Sequence, residues 1–262
     1  MSGSLSDVTT PKEATQALEI ILEQLGSAVA GVYLFGSAVV GGLRANSDVD
    51  VLAVVNRGLS EPTRGELVTR LLSVSGRVGN ADRVRPLEVT VVNRADVVPW
   101  RYPPKKELIY GEWLRDQFER GRIPEPTHDP DLAIVLSQVR ATGISLFGQD
   151  ASQMLDPVPM ADLRRAMMDS LPALLKDLKG DERNVILTLA RMWQTVATGE
   201  FSPKDAAAEW AMPLLTKEQA TLLDLARRAY RGETVDEWDG LDSEVMELVN
   251  HLQESITAAL AR

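Results

Sequence analysis

Cysteine is absent from the 262 residues, and histidine occurs only twice, at His128 and His251. The absence of cysteine excludes disulfide bonds and thiolate zinc sites. Two histidines are too few for a histidine-rich metal site, and neither lies in a recognisable motif of Ser-His-Asp catalysis. Thiol chemistry, zinc-thiolate chemistry and Ser-His catalysis are therefore set aside.

Long hydrophobic runs are also missing, and no apolar stretch approaches the length of a membrane-spanning helix. We therefore expect no membrane partner. The first residues, MSGSLSDVTTPKEA, lack a basic region followed by an apolar core. We therefore expect no secretory signal and a cytoplasmic location.

Basic residues are fewer than acidic residues: the chain has 28 Lys and Arg and 38 Asp and Glu, which gives a formal net charge of −10. Proteins that bind polynucleotides usually present basic faces, so the charge argues against nucleic acid as a partner. An acidic protein attracts small cations through its field, which favours a small cationic substrate. Solubility alone also explains an acidic composition, so the charge is a secondary indication.

The stretch with the most chemical content is GSAVVGGLRANSDVDVLAVV, residues 36–55. An apolar run precedes it, and Asp48 and Asp50 open a second apolar run. Side chains two apart on a strand point to the same side, so these two carboxylates repel each other unless a cation neutralises them. Carboxylate oxygens are the ligands that Mg²⁺ prefers. Gly36 and Ser37, where a strand gives way to a turn, offer a hydroxyl and backbone N–H groups to phosphate oxygens.

Each part of this pattern has an ordinary interpretation when it stands alone. An isolated D-x-D is usually a solvated strand end, and a lone Gly-Ser pair is a weaker signal still. The order is informative: a strand, Gly-Ser, a Gly-rich turn, then D-x-D entering a strand. This order resembles the signature of the nucleotidyltransferase superfamily with its polymerase-β-like fold. It predicts a site for Mg²⁺ and a nucleoside triphosphate.

A third acid lies in the next predicted strand, Arg85–Val92. Alternation places Leu87, Val89 and Val91 on one face and Glu88 on the other. One interpretation is an edge-strand carboxylate facing water. The other is an acid beside Asp48 and Asp50, where Glu88 is either a third metal ligand or the base that removes the proton from an attacking hydroxyl.

The chain changes character at Asp156-Pro-Val-Pro159, from strands to helices. We predict an α/β fold, with a mixed-sheet nucleotidyltransferase domain at 1–157 and an all-α helical bundle domain of five helices at 158–262. Two helix starts carry cap signals: Asp129 before Pro130, and Ser202 before Pro203.

Four polar residues near helix ends have both ordinary and functional interpretations. Asp131 suits the positive end of a helix dipole or faces substrate. Asp181 is a helix-start acid or faces whatever the bundle binds. Lys204 opposes the dipole of its own helix, which is a mild functional hint because triphosphate contact would explain it. Tyr230 closes a long helix, where packing is the ordinary role.

Motifs along nearly the whole chain resemble the aminoglycoside nucleotidyltransferase family, most closely its spectinomycin 9-adenylyltransferase branch. They include RPLEVTVVNRADVVPWRYPP, YGEWLRDQFERG, DPDLAIVLSQ and GDERNVILTLARMWQTVATGEFSPKDAAAEWAMPLL, besides residues 36–55. The resemblance implies O-adenylylation of the drug by ATP with Mg²⁺, conferring resistance in bacteria. It also implies an N-terminal nucleotidyltransferase domain, a C-terminal helical domain and substrate bound between them.

The resemblance also implies roles for individual residues. Glu88 would be the catalytic base and, with Asp48 and Asp50, would hold Mg²⁺, with two ions expected. The residues expected near ATP are Gly36, Ser37, Ser47, Asp131, Lys204 and Tyr230. The residues expected to face the drug are Glu88, Asp181 and Asn184. We expect ATP and spectinomycin to be the only partners, and the protein to be a monomer.

One segment departs from the wider family. Relatives that also modify streptomycin carry a Trp and a longer insertion just before the GDE motif, whereas here residues 174–179 are short and lack Trp. This departure predicts a spectinomycin-only enzyme. The alternative is dual specificity for the streptomycin 3″ and spectinomycin 9 hydroxyls. Two rival readings remain: a nucleotidyltransferase with another small-molecule or protein acceptor, and a non-catalytic nucleotide- or metal-sensing module.

Overall fold

A computed structural model describes residues 9–44, 47–77, 84–235 and 237–261. The chain divides into two compact units, Met1–Leu163 and Arg164–Arg262. The division lies a few residues beyond the predicted boundary after residue 157, which stays a prediction. None of the helices in the described ranges is both long and apolar enough to span a membrane.

The N-terminal unit is built from short strands and helices. Its strands are β1 (Val29–Phe35), β2 (Val49–Val55), β3 (Leu87–Asn93), β4 (Lys105–Lys106), β5 (Leu108–Tyr110), β6 (Thr127–His128) and β7 (Ile144–Gly148). Its helices are α1 (Lys12–Leu25), α2 (Glu61–Leu72), α3 (Arg94–Val97), α4 (Arg115–Glu119), α5 (Asp131–Thr142) and α6 (Ala151–Met154).

Five of these strands form a mixed sheet in the order β5-β3-β2-β1-β7. β2 and β3 are parallel, and the other neighbours are antiparallel. The parallel pair is joined through α2, as a parallel connection requires a crossover. β4 and β6 form a separate two-stranded ribbon. The predicted mixed sheet is confirmed.

Each face of the sheet buries its own core. On one face the predicted alternation holds, since Leu87, Val89 and Val91 pack with residues of α1 and α2. On the other face Leu52 and Val92 pack with residues of α5 and α6. Successive strand residues point to opposite faces, so Asp50 and Glu88 belong to the face of α5 and α6.

The C-terminal unit is helical. The division falls within α7 (Met160–Lys176), and the later helices are α8 (Glu182–Thr198), α9 (Lys204–Ala211), α10 (Lys217–Tyr230) and α11 (Asp242–Leu260). α8 buries nine side chains and packs against α9, α10 and α11. Trp193 and Trp210 meet edge to face, with ring centroids 5.2 Å apart. The predicted five-helix character is confirmed for the described part of the chain.

The two predicted helix caps had different outcomes. Pro130 has helical dihedrals, and Asp129 Oδ1 accepts a hydrogen bond from the Asp131 amide at 3.0 Å, so the Asp129 carboxylate serves the helix start as expected. Ser202 as the N-cap of α9 is wrong. Pro203 has ψ of 153°, an extended value, so Pro203 itself flanks the helix, which begins at Lys204.

Candidate active site

Asp50 and Glu88 lie opposite each other on the parallel strands β2 and β3. Paired residues of adjacent strands project from the same face, so the two carboxylates are neighbours. Both side chains are half-buried, while Val49 and Leu87 just before them are fully buried on the opposite face. Asp48 directly precedes β2 and is also half-buried. The structure therefore brings Asp50 and Glu88 together, as the second of the two interpretations of Glu88 expected.

Gly36 lies beside Asp50, because Phe35 pairs with Asp50 at the end of β1. Gly36 has φ of +67°, and a Cβ built there would lie 1.9 Å from Asp50 Oδ2. Any side chain would therefore collide with the carboxylate. The missing side chain lets the tight turn Gly36–Ala38, which contains Ser37, approach the acidic pair. The Gly-Ser part and the D-x-D part of the predicted motif therefore lie next to each other.

Ser47, directly before Asp48, is buried. Its hydroxyl accepts a hydrogen bond from the Arg44 amide at 2.9 Å. The Arg85 guanidinium donates to the carbonyl oxygens of Arg44 and Ser47, at 2.6 and 3.2 Å. The hydroxyl keeps its proton available to another acceptor, so the predicted phosphate contact is compatible with this geometry.

The acidic pair suits Mg²⁺. Asp50 and Glu88 offer hard oxygen donors side by side, and the turn at Gly36 approaches Asp50 closely. Among the residues that the structure describes, no three Asp, Glu or His side chains already converge as a metal site. Mg²⁺ commonly binds through one or two carboxylates plus substrate phosphates, so a complete protein cage is not required.

The other predicted site residues of the N-terminal unit are exposed or half-buried. Asp131 is exposed in the first turn of α5. Ser37 is half-buried in the turn after β1. Neither position is shielded from a ligand by the fold of this unit.

Three of the four residues predicted in the C-terminal unit form one polar chain. Asn184 Nδ2 donates to Asp181 Oδ2 at 2.9 Å, and the Lys204 ammonium donates to Asn184 Oδ1. The chain joins the start of α8 to the start of α9. Tyr230 is half-buried at the end of α10. Lys204, whose charge opposes the dipole of its own helix, therefore has a specific hydrogen-bond partner in Asn184.

Arg85 and Glu13 are the residues that sequence reasoning missed. Arg85 holds the backbone before Asp48, and its own amide donates to Glu13 Oε1 at 3.0 Å. Glu13 is 3% exposed, although it lies in an amphipathic helix where a glutamate normally faces water. An arginine before a strand has no distinctive local pattern, so the sequence carried no signal for this role.

Two family models match the chain: the nucleotidyltransferase domain over residues 15–114, and the aminoglycoside adenylyltransferase C-terminal domain over residues 153–255. The chain is also 62% identical to a spectinomycin 9-adenylyltransferase of Staphylococcus aureus, covering 95% of this chain and 96% of that protein. The chain belongs to the aminoglycoside adenylyltransferase family. The predicted family and enzyme class are confirmed.

Other aminoglycoside adenylyltransferases match at lower identity. An aminoglycoside (3″)(9) adenylyltransferase of Escherichia coli is 38% identical over 98% of both chains. A crystal structure of spectinomycin adenylyltransferase from Enterococcus faecalis with ATP and spectinomycin has a TM-score of 0.91 and 35% identity, covering 95% of this chain and 100% of that one. The two-domain fold of the family therefore extends over almost all of this chain.

Proposed function

We propose that this protein transfers AMP from ATP to the 9-hydroxyl of spectinomycin, releases pyrophosphate and so confers resistance to the drug. The observation that carries the proposal is the in-register pair of Asp50 and Glu88 beside Gly36. The 62% identical relative named for this activity and the 35% identical structure with ATP and spectinomycin supply the substrates.

The reaction needs one bond made and one broken. The drug hydroxyl oxygen attacks the α-phosphorus of ATP, and the bond from that phosphorus to the oxygen bridging the β-phosphate breaks. Glu88 accepts the hydroxyl proton, because a carboxylate on the strand next to Asp50 can reach a nucleophile held at the metal-binding acids. Pyrophosphate carries away the electron pair of the broken bond.

Asp48 and Asp50, with Glu88, would hold Mg²⁺, and we propose two ions. Bound there, Mg²⁺ supplies charge neutralisation for the phosphates and the leaving pyrophosphate. The register of a buried sheet holds the backbone of Asp50 and Glu88 side by side, so their side chains start from fixed neighbouring positions. Gly36 and the hydroxyls of Ser37 and Ser47 bind the phosphates.

The remaining contacts follow the family assignment. Asp131, Lys204 and Tyr230 contact the nucleotide. Asp181 and Asn184 face the drug, and their mutual hydrogen bond orients the Asn184 amide. As a partner set we propose ATP and spectinomycin, without nucleic acid or membrane, for a cytoplasmic monomer.

We propose narrow specificity for spectinomycin. Residues 174–179 lack Trp, and Gly180 with φ of +93° makes an immediate turn into Asp181. No aromatic platform for a larger drug is available in that segment. The test compares kcat/KM for spectinomycin and streptomycin, and comparable values would contradict the proposal.

The variant E88Q tests the role of the base. An amide cannot accept the hydroxyl proton, so we expect kcat to fall by a factor of about 10² to 10⁴. ATP binding, measured by calorimetry without drug, should persist. The control is E66Q, which changes an exposed glutamate on α2.

Wild-type turnover by E88Q would show that Glu88 is not the base. ATP binding by the wild-type protein without pyrophosphate release would instead favour a non-catalytic sensor.

A further inference from the structure

We infer that Arg85 is a positioning residue for Asp48 and Asp50. It acts by holding the backbone carbonyls of Arg44 and Ser47, just before these carboxylates at the edge of the sheet. The inference rests on the proposed function of the two aspartates as metal ligands. Arg85 itself is assigned no contact with ATP, drug or metal.

One nitrogen of Arg85 bonds to two backbone carbonyls. Nη1 donates to the carbonyl oxygen of Arg44 at 2.6 Å and to that of Ser47 at 3.2 Å. The Ser47 amide also donates to the Arg44 carbonyl at 3.1 Å. Asp48 follows Ser47 directly, so the Arg85 bond orients the peptide group that carries Asp48.

Arg85 can hold these carbonyls because its own backbone is fixed from both sides. Its amide donates to the buried Glu13 carboxylate at 3.0 Å, and its carbonyl accepts from the Gly76 amide at 3.0 Å. The following carbonyl, of Pro86, accepts from the Val49 amide at 2.9 Å. The guanidinium therefore extends from an anchored point of the chain.

The same anchored segment leads to the proposed base. Leu87 follows Pro86, and its amide donates to the Ser75 hydroxyl at 3.0 Å. Glu88 is the next residue. A single segment thus carries Glu88 through the backbone and holds the carbonyl before Asp48 through the Arg85 side chain. The spacing between base and metal ligands depends on this connection.

Losing such an outer partner typically costs about 10-fold to 100-fold in metal affinity or activity. Without Arg85 the carbonyls of Arg44 and Ser47 lose a charge-assisted donor, and the backbone at Ser47, directly before Asp48, gains freedom. The expected defect is therefore in metal binding and kcat. Binding of ATP without metal should change less, because Arg85 acts on the proposed phosphate contact only through the Ser47 backbone.

The test compares R85M, which removes every donor, with R85K, which keeps a positive donor nitrogen. The control is R70M, because Arg70 forms an exposed ion pair with Glu23 at 2.7 Å. Three quantities are measured: binding of Mn²⁺ in the presence of ATP by electron paramagnetic resonance, binding of ATP in EDTA, and kcat with spectinomycin. Urea unfolding without metal checks that each variant is folded.

We expect R85M to weaken Mn²⁺ binding by about 10-fold or more, and R85K by a smaller factor. R70M should match the wild-type protein. Unchanged Mn²⁺ binding by R85M would overturn the inference. An equal or larger loss of ATP binding in EDTA would also overturn it, because that result indicates that Arg85 acts on the phosphate contacts rather than on the metal ligands.

Two provisions keep the outcome decisive. If R85M does not fold, a loss of Mn²⁺ affinity by R85K that exceeds its loss of ATP binding in EDTA tests the same claim. The Mn²⁺ measurement contains no drug, so a failure of spectinomycin turnover would refute the proposed function without touching the inference about Arg85.

Discussion

Gly36 occupies the point where β1 ends, and the Asp50 carboxylate fills the space that a side chain would need. Two constraints act on this residue at once. Its φ of +67° is a conformation that residues with a Cβ rarely adopt, and the close approach of Asp50 forbids the Cβ itself. The first constraint concerns stability, and the second concerns the geometry of the site.

The variant G36A should separate these constraints when compared with G121A. Gly121 also has a positive φ, of +72°, but nothing lies within 4 Å of a Cβ built there. Both variants should lose about 1 to 2 kcal/mol of unfolding free energy from backbone strain. Only G36A should also displace Asp50 and lower kcat, by about 10-fold or more. Equal activity in the two variants would contradict the close-approach account.

Tyr33 is a second residue whose environment has a measurable consequence. It is fully buried, and its hydroxyl donates to the Gln149 carbonyl at 2.8 Å. Burial, and to a lesser extent the nearby Asp150 charge, raises the pKa of Tyr33 from 10.0 to about 12. The folded state therefore keeps the proton at a pH where the unfolded chain releases it.

The sign of the pH effect follows from this difference. The stabilisation is fully present below pH 10 and is lost as pH rises through about 12. The loss amounts to about 2 to 3 kcal/mol for a difference of this size. Y33F should be about 1 kcal/mol less stable than wild type at neutral pH, through the lost hydrogen bond.

Urea unfolding at several pH values checks this prediction. The stability advantage of wild type over Y33F should shrink as pH rises above 10 and then reverse in favour of Y33F. Burial also raises the pKa of Tyr110, so both proteins lose stability in alkali and must be compared at each pH. A constant difference between them across the range would show that Tyr33 titrates as an exposed tyrosine.

At the scale of the elements, the strand pattern was predictable where burial alternates. Leu87, Val89 and Val91 form one side of β3, and this periodicity correctly left Glu88 on the other side. The pairing of β3 with β2 was a weaker expectation, because register depends on contacts distant in sequence. The D-x-D motif supported this pairing, because it marks the strand end beside which Glu88 has to lie if the three acids form one site.

Helix starts were less predictable, because a Pro near the start can be either the first residue with helical dihedrals or the extended residue that flanks the helix. Pro130 has helical dihedrals behind Asp129, whereas Pro203 has an extended ψ and leaves Ser202 outside the helix. Pro fixes φ near −65° in both cases, and only ψ distinguishes them. Tertiary contacts set ψ, so the local sequence did not separate the two outcomes.

The start of α10 provides a prediction for one element. Thr216 accepts a hydrogen bond from the Gln219 amide at 3.3 Å, and the Gln219 side chain accepts from the Thr216 amide at 3.2 Å. T216A should cost about 1 kcal/mol of unfolding free energy. The matched control is T221A, because Thr221 lies within the same helix and bonds only to the Lys217 carbonyl there.

T221A should be neutral or slightly stabilising, since Ala has the higher helix propensity. Chemical denaturation of both variants measures the difference. Equal stabilities would show that the cap of α10 contributes nothing to the fold.

At the scale of the whole molecule, the net charge of −10 should act on the drug before it binds. Spectinomycin is an amine and carries positive charge, so an acidic protein attracts it over a distance that salt shortens. We expect kcat/KM for spectinomycin to fall several-fold between about 0.02 and 0.5 M ionic strength, with a smaller change in kcat. A kcat/KM that does not respond to salt would exclude electrostatic attraction as a contributor.

The sequence did not predict the order of the sheet strands or the contacts of Arg85. β1 lies between β2 and β7, two strands separated by most of the N-terminal unit. Arg85 reaches backbone carbonyl groups about forty residues earlier in the chain. Both features depend on tertiary contacts, whereas the acids, the Gly-Ser turn and the division into sheet and helices left local patterns.

The most direct test of the central claim is turnover by the purified protein with ATP, Mg²⁺ and spectinomycin, following pyrophosphate release and the mass of the drug. We expect pyrophosphate to appear only when spectinomycin is present, together with a drug species heavier by one adenylyl group. Streptomycin and a reaction without drug should give neither signal. ATP binding without pyrophosphate release or adenylylated spectinomycin would contradict the account.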